Sequence, residues 1–320
     1  MTIPPVLFPA SAILPTRDRP APMARFLDSL SLQSHQPAEL IVIDASATDA
    51  TKVLLTQWVG RLRSSIRYYS ATTAGAAAQR NQGVAYASQE YIFFTEDDVL
   101  FEPHCLERLW SAISTDPSLG GVSAMITNQR YTTPGNISRT LFRILHGRSE
   151  ASYAGRCLGP ALNLLPEDCD DLPDVVLMEW LNLGCTIYRG QALPEPPFQK
   201  HFKGYSMMED MTVSLIVGRT WRLANARTAR IYHDSVQSGD KTNIKAMSQM
   251  ELVNRHYVMC QILGRDTTSD YLKLFILQLF GVLSPLRTRL GWQRLPKMLA
   301  GKWAGVRDIY HSLKSVNERK

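Results

Sequence analysis

The chain of 320 residues has no run of about 18 apolar residues, so no segment is expected to cross a bilayer as a helix. It has no C-x-x-C pair. Its five cysteines, Cys105, Cys157, Cys169, Cys185 and Cys260, are scattered and odd in number. That argues against zinc ribbons and disulfide scaffolds and points to a reducing cytoplasm. G-x-G-x-x-G, G-x-x-x-x-G-K-[ST] and G-x-S-x-G are all absent, which weakens dehydrogenase, P-loop and serine-hydrolase readings. Glycine (19) and proline (18) are too ordinary for collagen-like or low-complexity chains. No basic residue precedes an apolar run in the first 19 residues, which read as the start of a folded domain and not as a signal peptide.

What is present is core material. Hydrophobic residues make up 45% and charged residues 20%, which excludes a disordered chain. At roughly 150 residues per domain, the length fits two domains or one large α/β domain with a tail. The net charge of +6 is uneven: residues 255–320 carry 12 Lys+Arg against 4 Asp+Glu, and the rest carries 23 against 25. A basic tail on a near-neutral body suits an anionic surface, lipid headgroups or nucleic acid, with a solvated helical face as the alternative.

Strand and helix signals alternate through the first half. Apolar runs at Ser11–Leu14, Leu40–Ile43, Ile66–Tyr69, Tyr91–Phe94 and Gly121–Ile126 read as strands. Between them, Met23, Phe26, Leu27 and Leu30, then Leu54 to Leu62, Gly75 to Ser88, and Leu106 to Ile113 have helical spacing. This order predicts a mostly parallel sheet covered on both faces. Residues 128–173 are weakly periodic and read as an insertion or flexible loop. A strand-like pattern resumes at Val175–Arg189, a helix is expected from Glu209, a strand ends at His233, and the chain from Met247 looks helical.

Ligands of open α/β sheets bind outside the carboxyl ends of the strands. Three polar clusters follow the apolar runs there: Thr16–Arg19, Asp44 with Ser46, and Glu96-Asp97-Asp98. Three adjacent carboxylates are costly unless a cation neutralises them, and hard divalent cations prefer carboxylate oxygens. The alternative is an acidic cap on the following helix. Arg17, Arg19 and Arg80 are candidates for phosphate oxygens or, in the simpler reading, for surface ion pairs. Glu209-Asp210 at a helix start can supply a general base or a helix-terminal carboxylate. His233 at a strand end is a metal ligand or a structural histidine.

In order, these clusters resemble family 2 glycosyltransferases with the GT-A fold. Pro15-Thr16-Arg17-Asp18-Arg19, then Asp44-Ala45-Ser46 with Asp49 and Thr51, resemble the opening Pro-Thr-x-x-Arg and Asp-x-Ser-x-Asp-x-Thr elements. Arg80-Asn81-Gln82-Gly83 resembles the Arg-Asn-x-Gly helix, and Glu96-Asp97-Asp98 the Asp-x-Asp strand end. Trp180–Arg189 is similar to the Gly-rich acceptor-side segment, Glu209-Asp210 to the Glu-Asp element, and Ile231-Tyr232-His233 to the closing metal-binding histidine. The resemblance runs from about residue 10 to 235. Glu96 stands where the family has its first Asp, Asn182-Leu183 replaces a commoner Ser-Gly, and Ser206-Met207-Met208 is atypical.

The resemblance implies a GT-A (Rossmann-like) α/β sheet in residues 1–245, with a nucleotide-sugar half (1–127) and an acceptor half (128–245). Residues 246–320 would form a basic amphipathic helical tail. It implies an inverting, metal-dependent transferase using Mg²⁺ or Mn²⁺ and a UDP-, GDP- or dTDP-linked sugar. The acceptor would be a glycan or a lipid-linked saccharide in surface polysaccharide biosynthesis. Asp98 and His233 would hold the metal, and Asp210, with Glu209 beside it, would be the base. Pro15, Thr16, Arg17, Arg19, Asp44, Ser46, Arg80, Glu96, Asp97, Gly184 and Cys185 would bind substrate. A catalytically silent nucleotide-sugar-binding or scaffold protein on the same fold is the alternative. A nucleic-acid partner is not expected, because the basic tail lacks a recognisable binding motif. Apolar and aromatic residues interleave with basic ones from Arg287 to Trp303, which suits an interfacial helix pair on the inner face of the cytoplasmic membrane.

Overall fold

A computed structural model of the chain describes residues 4–235 and 242–317. In chain order the elements are β1 (Val6–Thr16), α1 (Pro20–Ser31), β2 (His35–Asp44), α2 (Ala50–Thr56), β3 (Ser65–Ser70), α3 (Ala76–Ala85), β4 (Tyr91–Thr95), β5 (Val99–Phe101), α4 (Cys105–Thr115) and β6 (Leu119–Ile126). There follow α5 (Asn136–His146), β7 (Cys157–Leu158), β8 (Leu162–Asn163), β9 (Val175–Met178), β10 (Cys185–Arg189), α6 (Glu209–Val217), β11 (Arg222–His233), α7 (Ile244–Tyr257), α8 (Thr268–Leu283) and α9 (Arg289–Asn317). The described residues group into two compact units. One is drawn from Met1–Thr132, Ala154–Arg156 and Leu165–Val236, the other from Thr133–Tyr153, Cys157–Leu164 and Gln237–Lys320.

The first unit is built on a sheet ordered β3-β2-β1-β4-β10-β6-β11-β5, with β9 also paired to β11. Strands β3, β2, β1 and β4 are mutually parallel. Strand β10 is antiparallel to both β4 and β6, and β6 is parallel to β11. It follows that β1, β2, β4, β6 and β11 all end on one edge, and that β10 starts there. The expected mixed, mostly parallel sheet with helices on both faces is what forms. On one face Ala12, Leu14, Leu40 and Val42 join a core with Met23, Phe26, Leu27 and Leu30 of α1 and Leu106, Leu109 and Ile113 of α4. On the other face α3 lies against β1 and β2. Gly83 makes that approach possible, because a Cβ there would overlap Ile13 Cγ2 and press on Ile43.

In the second unit, α5 packs Leu141 and Leu145 with Tyr153, Leu158 and Leu277. The stretch read from sequence as a loop region therefore contains a helix. Its Ile137, Leu141, Ile144 and Leu145 do carry helical spacing, but only over three turns set among loops. In α7, Glu251 is held by Arg255 and by Lys302 of α9, which pull its carboxyl down to about 2 against the opposing effect of burial. No helix among the described residues is long and apolar enough to cross a membrane.

Candidate active site at the strand ends

The sheet edge where β1, β2, β4 and β11 end gathers most of the expected residues. Thr16 closes β1 and donates its hydroxyl to Asp97 Oδ2 at 2.6 Å. Arg19, one turn of chain further, donates Nη1 to Asp97 Oδ1 at 2.6 Å and Nη2 to Asp98 Oδ2 at 2.8 Å. His233, the last residue of β11, brings Nε2 to 3.1 Å from Asp98 Oδ1 and 3.5 Å from Glu96 Oε2. Asp98 thus lies between a guanidinium and an imidazole. Burial works to raise its carboxyl, but the hydrogen bond and charge of His233 and the contact with Arg19 outweigh it, and the group falls to about 2. Asp97 shows the opposite balance. It is almost fully buried, and burial pushes it up to about 7 despite Arg19 and Thr16, with Asp98 and Glu96 adding like charge.

Glu96, Asp98 and His233 each offer one ligand atom, and the three atoms lie within 4.8 Å of one another. Two carboxylate oxygens and one imidazole nitrogen form a donor set suited to a divalent cation. The far side of the imidazole is also fixed. Gln129 Nε2 is 3.3 Å from His233 Nδ1, and the Asn128 side chain both donates to and accepts from the His233 backbone, at 2.9 and 3.0 Å. Such outer partners orient a ligating ring.

A second pair of carboxylates enters from α6. Glu209 Oε1 accepts from Arg80 Nη1 at 2.8 Å, and Arg80 Nη2 donates to Glu96 Oε1 at 2.7 Å. Arg80 is 1% exposed and lies near the Phe198 ring, its guanidinium carbon 5.9 Å from the ring centre. Arg80, expected to approach the diphosphate or the donor sugar, holds these two carboxylates with its two arms. Burial raises Glu209 to about 8, with Asp210 and Glu96 adding to it and Arg80 opposing. Burial likewise raises Asp210 to about 6, although its Oδ1 accepts the Met211 backbone N–H at 2.7 Å.

The loop before α6 takes left-handed backbone at Gly204, Ser206 and Met208, with φ of 60°, 58° and 76°. Such positions are strained for Ser and Met. The loop is tied to the start of α3: Ala76 N–H donates to Gly204 O at 3.2 Å and Ala77 N–H to Ser206 Oγ at 3.4 Å. Tyr205 belongs to this site. Its hydroxyl is pushed up to about 12 by burial and then by the negative charge of Glu96, Glu209, Asp210 and Asp98.

Asp44 ends β2 buried, with Oδ1 taking the Ser46 N–H and hydroxyl and Oδ2 the Tyr68 hydroxyl at 3.2 Å. Gln79 of α3 donates to the backbone carbonyls of Thr16 and Ile43 at 3.0 and 2.7 Å, which gives these strand-end acceptors a partner. Gly184 precedes β10 at the same edge, its carbonyl accepting from Thr95 Oγ1 at 3.1 Å. Pro15 pairs with Ile43 inside the sheet. Two expected residues are not brought to the cluster. Arg17 is exposed beside Asp18, and the Cys185 side chain is fully buried in the core, where burial and nearby Cys105 push its thiol well up. Gln79, Asn128, Gln129 and Tyr205 were missed. Asn128-Gln129 follows β6 at a strand end, the same signal that marked the other clusters.

Residues 11–153 match the family described as glycosyl transferase family 2. A PGL/p-HBAD biosynthesis glycosyltransferase of Mycobacterium tuberculosis is 28% identical over 138 residues, 42% of this chain and 54% of that protein. An uncharacterised glycosyltransferase of Nostoc is 26% identical over 98 residues, 31% of this chain and 30% of that protein. The match thus spans about half or less of these relatives' lengths. Among solved structures, a mannosyltransferase from Pyrobaculum calidifontis, in complex with GDP-Man and Mn²⁺, superposes with a TM-score of 0.54 at 14% identity, over 99% of this chain and 81% of that one. GalNAc-T7 with UDP, GalNAc and Mn²⁺ also gives 0.54, at 12% identity over 83% and 54%. The fold is that of the GT-A glycosyltransferases.

Proposed function

We propose that this chain, a GT-A fold whose residues 11–153 match glycosyl transferase family 2, moves a sugar from a nucleotide-diphospho-sugar to a glycan or lipid-linked acceptor, with inversion at the anomeric carbon. The carrying observation is one sheet edge that holds both a cation-type donor set, Glu96, Asp98 and His233, and a separate carboxylate pair, Glu209 and Asp210, bridged to it by Arg80. The two mannosyl- and GalNAc-transferase neighbours, described with Mn²⁺ and nucleotide, support the reading.

The division of labour follows from the local chemistry. Asp210, raised to about 6, is still ionised near neutral pH and is basic enough to take a proton. As the acceptor oxygen bonds to the anomeric carbon, its proton passes to Asp210. The bond from that carbon to the diphosphate oxygen breaks, with the electron pair leaving on the diphosphate. One displacement inverts the centre. Glu96, Asp98 and His233 would hold Mn²⁺ or Mg²⁺, which when bound supplies positive charge to the leaving diphosphate. Arg80 fixes Glu96 and Glu209 at a set separation, and Arg19 fixes Asp97 and Asp98. We assign the nucleoside to Thr16, Arg19 and Asp44, and catalysis to the sheet-containing unit. The acceptor class suggests surface polysaccharide biosynthesis in the cytoplasm, at the inner face of its membrane.

A thermal-shift screen of UDP-, GDP- and dTDP-sugars with Mn²⁺ or Mg²⁺ tests this. A true donor at a hundredfold excess over its dissociation constant stabilises by about 2.7 kcal/mol. No shift with any nucleotide-sugar or free nucleoside diphosphate would overturn the reading.

A further inference from the structure

We infer that the second unit docks on an anionic lipid surface through the exposed apolar faces of α8 and α9. This gives the membrane placement proposed above a definite surface; its biological purpose rests on the transferase reading, and its physical case does not.

In α8, Leu272, Phe275, Leu279 and Leu283 follow one another at helical spacing, and all are exposed, Phe275 to 63%. Leu274 and Leu277, on the other side, are buried. In α9, Trp292, Leu299, Trp303, Val306, Tyr310 and Leu313 repeat at intervals of seven, four, three, four and three residues, which is one stripe along a helix. All six are exposed, Trp303 to 67%. The stripe is not the packing face of α9. That face carries Gly301 and Gly305, where a Cβ would press on the Lys245 carbonyl and on Leu252 of α7, and Lys302, which pairs with Glu251.

The charge beside the stripe has one sign. Arg289, three residues before Trp292, and Arg307, four residues after Trp303, flank it, and among the described residues neither has a carboxylate within ion-pair distance. Three of the unit's carboxylates are engaged elsewhere: Glu251 with Arg255 and Lys302, Asp308 with Gln249, Asp270 in the cap of α8. By sequence, the second unit carries 17 Lys+Arg against 7 Asp+Glu, net +10, and the first carries net −4. A second copy of the same face would set positive charge against positive charge. A polyanion such as nucleic acid would meet the charge but leave the tryptophans and leucines in water. An anionic leaflet satisfies both, with acyl chains for the stripe and headgroups for the arginines and lysines. Tryptophan and tyrosine favour that interface. The two helices would lie on the membrane, since neither is long and apolar enough to cross it.

The test is flotation of the full chain with vesicles of phosphatidylglycerol and phosphatidylethanolamine, or of phosphatidylcholine alone. Binding should be at least tenfold stronger to the anionic vesicles at low salt and should fall sharply in 0.5 M salt. Arg289→Gln and Arg307→Gln should each weaken it by about fivefold. Phe275→Ser with Trp303→Ser, which leaves the charge unchanged, should remove most of it. These side chains are exposed, so the variants should keep the wild-type melting temperature. Absence of flotation overturns the inference, whether the chain then sediments as a monomer or self-associates through this face. Nucleotide-sugar thermal shifts on the same samples report the catalytic reading independently: a chain that binds donor but does not float loses only the surface.

Discussion

Arg80 and Glu209 lie 129 residues apart in sequence and share a hydrogen bond of 2.8 Å, in a place where the arginine is 1% exposed. The other arm of the same guanidinium holds Glu96. Removing one member of such a buried set leaves charge without a partner, at a cost of about 3–5 kcal/mol. Arg80→Ala should therefore lower the free energy of unfolding by about that much in urea denaturation. Replacing Arg80 by Met and Glu209 by Gln together should cost much less than the sum of the two single changes. Additive losses would mean that the pair does not act as a unit.

Asp210→Asn should leave donor binding unchanged and cut turnover by about 10²–10⁴, because shape is kept and the proton acceptor is lost. In wild type, kcat/KM should rise through about pH 6, where Asp210 ionises. A variant with the same rising limb would place the base elsewhere.

Stability should depend on pH in a definite direction. Glu209 and Asp97 are raised, to about 8 and about 7, so the folded chain holds their protons more tightly than the unfolded chain does. Their contribution is fully present below about pH 4 and is lost as pH rises through 7 to 8. Asp98 is lowered to about 2, so its contribution is present above about pH 4 and is lost as pH falls toward 2. Metal-free protein should thus be less stable at pH 8 than at pH 5 in chemical denaturation, and Mn²⁺ should narrow that difference. A flat profile from pH 5 to 8 would contradict the burial of Glu209 and Asp97.

Most of the site was legible in sequence because parallel strands deliver their ends to one edge, and the polar residues after each apolar run mark those ends. Thr16, Asp44, Asp98 and His233 are of this kind. Arg80 was legible as a residue but not in its partners, since a helix from one crossover meets the start of α6, 129 residues away. The direction of Cys185 was not legible in sequence: Gly184 lies at the edge, while the next side chain turns into the core. Ser206-Met207-Met208 stands out in sequence only as atypical, and its backbone is not legible there, because neither residue type advertises left-handed backbone.

Gly83 lets α3 lie close against β1 and β2. Gly83→Ala would drive a methyl into Ile13 Cγ2 and lift α3, and with it Arg80, off the strands. Overpacking of this kind costs about 1–3 kcal/mol. Adding Ile13→Ala should recover part of the loss, and the recovery can be read from thermal melts of the single and double variants.

The most direct measurement is release of nucleoside diphosphate from UDP-, GDP- and dTDP-sugars with Mn²⁺ and a candidate acceptor, in wild type, Asp98→Ala and Asp210→Asn. One donor should be turned over by wild type. Asp98→Ala should lose donor binding and turnover together, and Asp210→Asn should lose turnover alone. Binding without turnover in wild type, or equal turnover in all three proteins, would contradict the account.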